Sequence, residues 1–432
     1  MAILMVAGGT GVVKLASIAK EIVTASRFGA GDQMDAFVIA FVVPTYVIGV
    51  VLAAFQSAVI PTYIDVRDRE GVDVARRLVS TITCWTAALL AGLTLLLALT
   101  APLLLPLIGS GFGAEKLWTT RMLFYLLLPL VVLTGLTAVW GAALNAEKRF
   151  VLASVAPIAT PVLVVVLILT AGRTIGIYAL PLGMLAGAAV EATLLVYAIT
   201  RRRLWVMPRW RASHPAVRIV MKQSVTMAAG AILMGTTTIV DNTMAATLDA
   251  GSVAMLNYGN RFVLFFLAFC AGAVSTAILP EFSGLVARSD WQSVRRVLSS
   301  CVWWIAAVTV PITTALIVFS LPLVRLMFER GAFTPEATQL VSRIQVLYAL
   351  QIPFYLISIV LVRLISAFRS NHLLAWGALL NVAVNVVLNY VFMRRLGVSG
   401  IALSTTFVYV ISCGFLALIA VRLMNTSDRA CG

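Results

Sequence analysis

The residues able to do chemistry in this chain are charges set inside long apolar runs. Lys14, Lys20 and Glu21 lie within a first apolar segment, with Arg27 near its end; after the turn Gly29-Ala30-Gly31-Asp32, Asp35 opens the next. Asp241, Arg261 and Arg363 stand in apolar surroundings further along. A charge in a bilayer costs at least about 2.5–3.5 kcal/mol on insertion scales, so it turns toward a partner or a wet cavity. At about 100° per residue, Lys14, Ser17 and Glu21 share one helical face, and Lys20, Thr24 and Arg27 another. That pattern fits a cavity-lining helix; an amphipathic helix lying on the membrane surface is the alternative. Arginine and lysine around an aqueous cavity suit a phosphate or diphosphate, bound through a planar fork or a point charge. Glu21, Asp35 and Asp241 are the counter-charges, and a competing reading pairs the charges with one another to fix helix register. Asn381, Asn385 and Asn389, four apart, place three amides on one face, suited to ion ligation or to interhelical hydrogen bonding. No covalent-catalysis or metal set accompanies them. His214 and His372 fall in loops, and Cys84, Cys270, Cys301, Cys413 and Cys431 are scattered and mostly within apolar segments.

The elements that carry these residues follow from composition. Of 432 residues, 61% are hydrophobic and 11% charged, with a mean hydropathy of +1.01. Apolar runs of about 20 residues and more mark a polytopic, all-α membrane protein. The sequence predicts twelve spans, at 2–27, 36–64, 78–109, 117–144, 151–171 and 175–200, then 215–247, 252–284, 294–320, 334–368, 372–392 and 399–424. No cleavable signal peptide is expected, because the first segment is too long and carries its charges inside it. Between the halves, 1–200 and 215–432, runs a basic linker, 201–214, suited to cytoplasmic retention and anionic lipid and not to nucleic acid. With both termini on one side, the connections on that side hold nineteen lysines and arginines and those opposite hold eight. The positive-inside rule then places both termini in the cytoplasm of a bacterial inner-membrane protein.

The halves repeat each other. Val59-Ile60-Pro61 aligns with Ile278-Leu279-Pro280, Arg76-Arg77 with Arg295-Arg296, and Ser80 with Ser299, all at an offset of 219 residues. Later, Val151-Leu152-Ala153 matches Leu373-Leu374-Ala375, and Gly176-Ile177 matches Gly400-Ile401. Six-span halves entering from the same side are typical of alternating-access carriers with a midplane substrate site. A channel would need a filter or pore-lining ring, which is not evident. A multidrug antiporter would want an acidic, aromatic cavity, and a membrane glycosyltransferase would want carboxylates beside a large outer loop.

Phe28-Gly29-Ala30-Gly31 with Asp35-Ala36-Phe37, Ala40-Phe41 and Pro44 resembles the start of the MurJ (MviN) family of lipid II flippases. Tyr258-Gly259-Asn260-Arg261 with Ile278-Leu279-Pro280 does so too. Glu329-Arg330-Gly331-Ala332-Phe333 resembles the family's Arg-Gly-x-Phe loop. The resemblance runs from about residue 11 to 424. It implies the multidrug/oligosaccharidyl-lipid/polysaccharide exporter fold, two six-helix lobes in a V around a cationic cavity. It also implies a flippase moving a polyprenyl-diphosphate-linked saccharide, with no cofactor and with sodium or proton coupling open. Lys14, Lys20, Asp35, Arg261 and Arg363 are its implied substrate-binding residues. A sodium site of some members resembles Asp241, Asn385, Asn389, the Ile401 carbonyl and Thr405, with Asn389 replacing an aspartate. Partners implied are the lipid-linked saccharide, the bilayer and cell-envelope glycosyltransferases. The chain departs from the family at Ile48 and Ala53, which stand where an arginine and a glutamate usually do, and it has two fewer spans. Those departures favour a second substrate, an exopolysaccharide-type lipid-linked oligosaccharide.

Overall fold

The computed structural model describes residues 2–147, 149–201, 216–218, 220, 235–368 and 370–431. Among them the secondary structure is helical, without strands. The basic linker at 201–214 lies outside the described residues except Arg201, as does most of 215–234. Eight helical runs among the described residues are long and apolar enough to cross a membrane. One of them, Phe150–Arg201, holds both the fifth and sixth expected spans; the first, seventh and eighth fall on incompletely described stretches.

Two compact units divide the chain, Met1–Gly235 with Arg330–Ala332, and Thr236–Glu329 with Phe333–Gly432. The boundary thus lies beyond 215, where the sequence reading begins its second half. The reason is packing: Ala216, Val217 and Val220 are buried with Val59, Leu78, Trp140 and Leu195 in the core of the first unit.

In the first unit, α1 (Ala2–Phe28), α2 (Asp32–Glu70), α3 (Val72–Ile108) and α4 (Ala114–Ala146) are near-continuous helices. The fifth span is broken into α5 (Phe150–Val155), a 3-10 turn at Ala156–Ile158 and α6 (Ala159–Ile175). Pro157 starts that break, because its ring and missing N–H interrupt the helical ladder. α7 (Ala179–Arg201) follows another 3-10 turn, Gly176–Tyr178. α2 packs along α3 and α4, α4 along α7, and α6 along α7. The last pair is close because Gly183 and Gly187 face the backbone of Val164 and Thr160, where a side chain would collide. Small residues one turn apart let membrane helices approach where hydrophobicity alone gives no preference.

The second unit holds α8 (235–245) from Thr236 onward, α9 (Ser252–Ala287), α10 (Trp291–Val318), α11 (Ser320–Phe328), α12 (Pro335–Ala349), α13 (Ile352–Ala367), α14 (Asn371–Leu396) and α15 (Val398–Cys431). Two differences from the expected spans have local causes. The stretch 334–368, read as one helix, is α12 and α13 joined at Leu350-Gln351, with Pro353 in the first turn of α13. The stretch after 320, read as loop, continues as α11 to Phe328. α9 packs along α12 and α13, α15 along α13, and α14 along α15. These pairings reproduce α2 with α4, α4 with α7, and α6 with α7, so the duplication seen in sequence recurs in packing.

Candidate functional site

The clearest polar centre is in the second unit. α8 supplies Asp241; α14 supplies Asn385 and Asn389, one turn apart; α15 supplies Ile401 and Thr405, also one turn apart. Asn385 Nδ2 donates to Asp241 Oδ1 at 2.9 Å and Asn389 Nδ2 to the same oxygen at 2.7 Å. Thr405 Oγ1 lies 3.1 Å from both Asp241 Oδ2 and the Ile401 carbonyl. Asp241 is 7% exposed and both asparagines are fully buried. The five residues that the resemblance implied as an ion site therefore meet, across 164 positions of sequence. The hydrogen bond from Asn385 to Asp241, the purely structural alternative, is present as well.

Beside this cluster is a cavity of about 260 Å³ whose wall includes Asp241, Asn257, Asn260, Tyr348, Gln351, Tyr355, Thr405 and Tyr409. Asn257 donates to Asn242 Oδ1 at 2.7 Å, and Asn242 to the Thr238 carbonyl at 2.8 Å. The donor set fits a small monovalent cation. It offers one carboxylate and several neutral oxygens, and Asn389 Oδ1 is buried without a hydrogen-bond partner among the described residues. A buried acceptor in that condition is costly unless something fills it.

The intramembrane charges are disposed less uniformly. Lys14 is exposed on α1, while Lys20 Nζ pairs with Glu21 Oε1 at 2.9 Å. Arg27 Nη2 donates to the Gly172 carbonyl at 3.2 Å, satisfying the end of α6. Asp35, 1% exposed, receives Lys116 Nζ at 2.9 Å, and Asp32 receives the same nitrogen at 2.6 Å. Lys116 also sits 4.0 Å above the Phe112 ring. Arg261 is exposed on α9 and Arg363 half-buried on α13.

In the signature loop, Glu329 Oε2 accepts from Arg325 Nε at 3.4 Å, and Arg330 is exposed. Ala332 N–H donates to the Ser26 carbonyl at 2.8 Å. Gly331 has φ +58° and Gly29 φ +62°, and a Cβ on either would strike the backbone of Ser26 or Ala332 respectively. Only glycine satisfies both the left-handed turn and the approach. Phe333 is buried against Tyr258 and Phe328, ring centroids 5.4 and 5.7 Å away.

A family model described as lipid II flippase MurJ matches residues 24–430. This chain belongs to the MurJ family. A probable lipid II flippase MurJ of Synechocystis is 26% identical over 419 residues, covering 93% of this chain and 77% of that protein. One of Rhizobium meliloti is 28% identical over 410 residues, covering 92% and 76%. Among solved structures, lipid II flippase MurJ in an inward closed conformation superposes with a TM-score of 0.80 at 22% identity, over 97% of this chain and 87% of that one. An inward-facing MATE multidrug transporter of the MOP superfamily gives 0.79 at 14% identity, over 96% of each chain. The fold is therefore the all-α MOP fold, and the chain is a multi-pass membrane transporter and not an enzyme.

Relative to these MurJ features, sequence reasoning missed three things. Lys116 was assigned to a connection, although it is the cation beside Asp35. The polar wall formed by Asn257, Gln351 and Tyr409 carried no motif. Glu191, a half-buried carboxylate inside the span 175–200, carries a signal of its own, since a lone ionisable residue in an apolar helix is unusual.

Proposed function

We propose that this chain is a flippase moving a lipid II-type, polyprenyl-diphosphate-linked saccharide across the bacterial cytoplasmic membrane by alternating access. The family match over residues 24–430 carries this reading. Physical support comes from the intramembrane cations: Lys14, Lys20, Arg261 and Arg363 suit a diphosphate. Unaided flipping would leave the hydroxyls and amides of the head group unpaired in hydrocarbon, so a protein path is required. No bond is made or broken. The product, delivered at the outer leaflet, is a substrate for cell-envelope glycosyltransferases. Both termini lie in the cytoplasm, on the side that collects most of the lysines and arginines.

The cluster around Asp241 would hold a coupling cation, sodium or a proton, through Asp241, Asn385, Asn389, the Ile401 carbonyl and Thr405. When bound, a cation there neutralises the buried carboxylate. Without one, Asn385, Asn389 and Thr405 keep Asp241 satisfied by hydrogen bonds.

Proteoliposomes carrying fluorescent lipid II, probed with an impermeant reagent, test the reading. The protein should flip lipid II, and Arg261→Ala should abolish flipping with membrane insertion unchanged. Failure of the purified protein to move lipid II, with competent transport of a different polyprenyl-diphosphate oligosaccharide, would instead select the second substrate. Ile48 and Ala53 favour that alternative, since neither can contact a phosphate or sugar by charge.

A further inference from the structure

The second unit carries an open groove between α10 and α15, about 620 Å³ in volume. One end is polar, where Arg295 Nη2 donates to Asn425 Oδ1 at 3.2 Å and ties the two helices together. Beyond that bond the walls are apolar, with Leu298, Val302, Trp303 and Ala306 on α10 facing Val421 on α15. Trp303 is 64% exposed and Val421 49%.

The first unit shows such a face when it is covered. At the offset of 219 residues, Leu298, Ser299 and Val302 of α10 correspond to Val79, Ser80 and Thr83 of α3. Those three are buried, at 3%, 3% and 5% exposure, whereas Ser299 is exposed and Leu298 and Val302 are half-buried. Val79 packs in one cluster with Leu195 and Ile199 of α7 and with Ala216, Val217 and Val220 from the chain that follows α7. Among the described residues nothing plays that part over α10 and α15. The helix face that is core in one unit is therefore open in its repeat.

Charge and length say what fits there. The stretches 285–296 and 421–432, which hold the mouth, carry five arginines against two aspartates. Basic pockets between spanning helices at a cytoplasmic surface select anionic head groups. From Arg295 to Ala306 is eleven residues, about 16 Å along a helix, and half the hydrocarbon core of a bilayer is about 15 Å. A charged mouth followed by an apolar run one leaflet deep matches a phospholipid. A partner's spanning helix needs about twice that length. Beside the arginine, the polar side chains of the groove are Ser299 and Asn425, too few to hold a saccharide head.

We propose that this groove binds one anionic phospholipid of the cytoplasmic leaflet. Its phosphate sits at Arg295, and one acyl chain lies along Leu298, Val302, Trp303 and Ala306. The lipid covers on α10 the face that the chain itself covers on α3. The choice of leaflet rests on the orientation given with the flippase reading; the groove does not.

Native mass spectrometry of the delipidated full chain, titrated with phosphatidylglycerol or phosphatidylcholine of the same acyl chains, tests the preference. The first phosphatidylglycerol should bind at least about fivefold more tightly than phosphatidylcholine, the factor one arginine contributes near a membrane surface. Arg295→Gln should erase that difference and Arg295→Lys keep most of it. Equal binding of the two lipids, or a preference unchanged in Arg295→Gln, overturns the proposal. In proteoliposomes, phosphatidylglycerol with a diazirine in its acyl chain should cross-link to 298–306. Excess unlabelled phosphatidylglycerol should remove that label and phosphatidylcholine should not. Label removed equally by both lipids, label displaced by a lipid-linked saccharide, or a groove closed by self-association of the chain each overturns it. Should Arg295→Gln fail to fold, the competition on the wild-type protein decides. If a cysteine beside Arg288 reacts from outside the cell, the orientation and the leaflet fail, and the cross-linking still decides the groove.

Discussion

Asn389→Asp is the most informative single change at the polar centre. In the parent, Asn389 Nδ2 lies 2.7 Å from Asp241 Oδ1, and both side chains are buried. The variant replaces a donor by a second carboxylate with charge centres about 4 Å apart. At an effective dielectric of about 20 this repulsion is worth about 4 kcal/mol, in addition to the lost charge-assisted bond of about 1.5–3 kcal/mol. A bound cation between the two carboxylates reverses the repulsion, and binding at a hundred times its dissociation constant stabilises the folded state by about 2.7 kcal/mol. The assay is thermal unfolding of detergent-solubilised protein in choline chloride against sodium chloride at matched ionic strength and mildly alkaline pH. The variant should unfold at a lower temperature than the parent in choline and recover more than the parent does in sodium. In acid, a proton shared by the two carboxylates replaces the ion, and the sodium response should shrink. A variant as stable as the parent in choline would refute the geometry. One destabilised equally in both salts would refute a cation site.

Lys116→Met should cost about 3–5 kcal/mol in thermal unfolding, because it removes the cation from buried Asp35, and adding Asp35→Asn should recover most of the loss. Asp32→Asn, which alters a carboxylate 65% exposed, should cost at most about 1 kcal/mol in the same assay. Gly187→Leu should prevent a monodisperse size-exclusion profile, because its side chain meets the Thr160 backbone. Asp290 caps α10; the Ser293 backbone N–H and hydroxyl hold its carboxyl below the usual carboxylate range. Its folded pKa is thus lower than its unfolded one, so its contribution is present above the unfolded value and lost as pH falls through the folded value. Protection factors of the first-turn amides of α10, corrected for the intrinsic pH dependence of exchange, should fall on acidification, and Asp290→Ala should be unprotected throughout. A cysteine near Arg203 should react with impermeant thiol reagents only in opened cells, and one near Pro335 in intact cells with a permeabilised outer envelope.

Much of this was legible in the chain because helical periodicity is local. Asn385 with Asn389 and Ile401 with Thr405 each occupy one face one turn apart, so the sequence could put them in line before any partner was known. The register of the duplication was legible for the same reason, as short identities at a constant offset. What could not be read were pairings set by tertiary distance. Lys116 and Asp35 are 81 positions apart, and Lys116 looked like an ordinary residue of a polar connection. The break at Leu350-Gln351 was hidden because the apolar pattern continues through it, and Pro353 is tolerated in a first turn as well as at a kink. Glu191 disappeared into the hydropathy of its span, where one charge among some twenty apolar residues barely alters an average.

The duplication also separates scaffold from chemistry. Helix pairings repeat between the units, but the polar centre does not. At the offset of 219 residues Asp241 corresponds to Ile22, and at the later offset of 222 Asn385 and Asn389 correspond to Leu163 and Leu167. Glu191, at the offset of 224, corresponds to Phe415. Each unit therefore carries its own intramembrane carboxylate at a position that is apolar in the other copy. Packing alone would not require this, since the apolar residue serves the same helix contact in the repeat. A buried carboxylate such as Asp241, 7% exposed, that costs stability and is dispensable for the fold needs a different explanation, and charge movement is the property it has that its apolar counterpart lacks. On that reasoning, replacing Asp241 by its neutral amide should perturb transport more than it perturbs thermal unfolding.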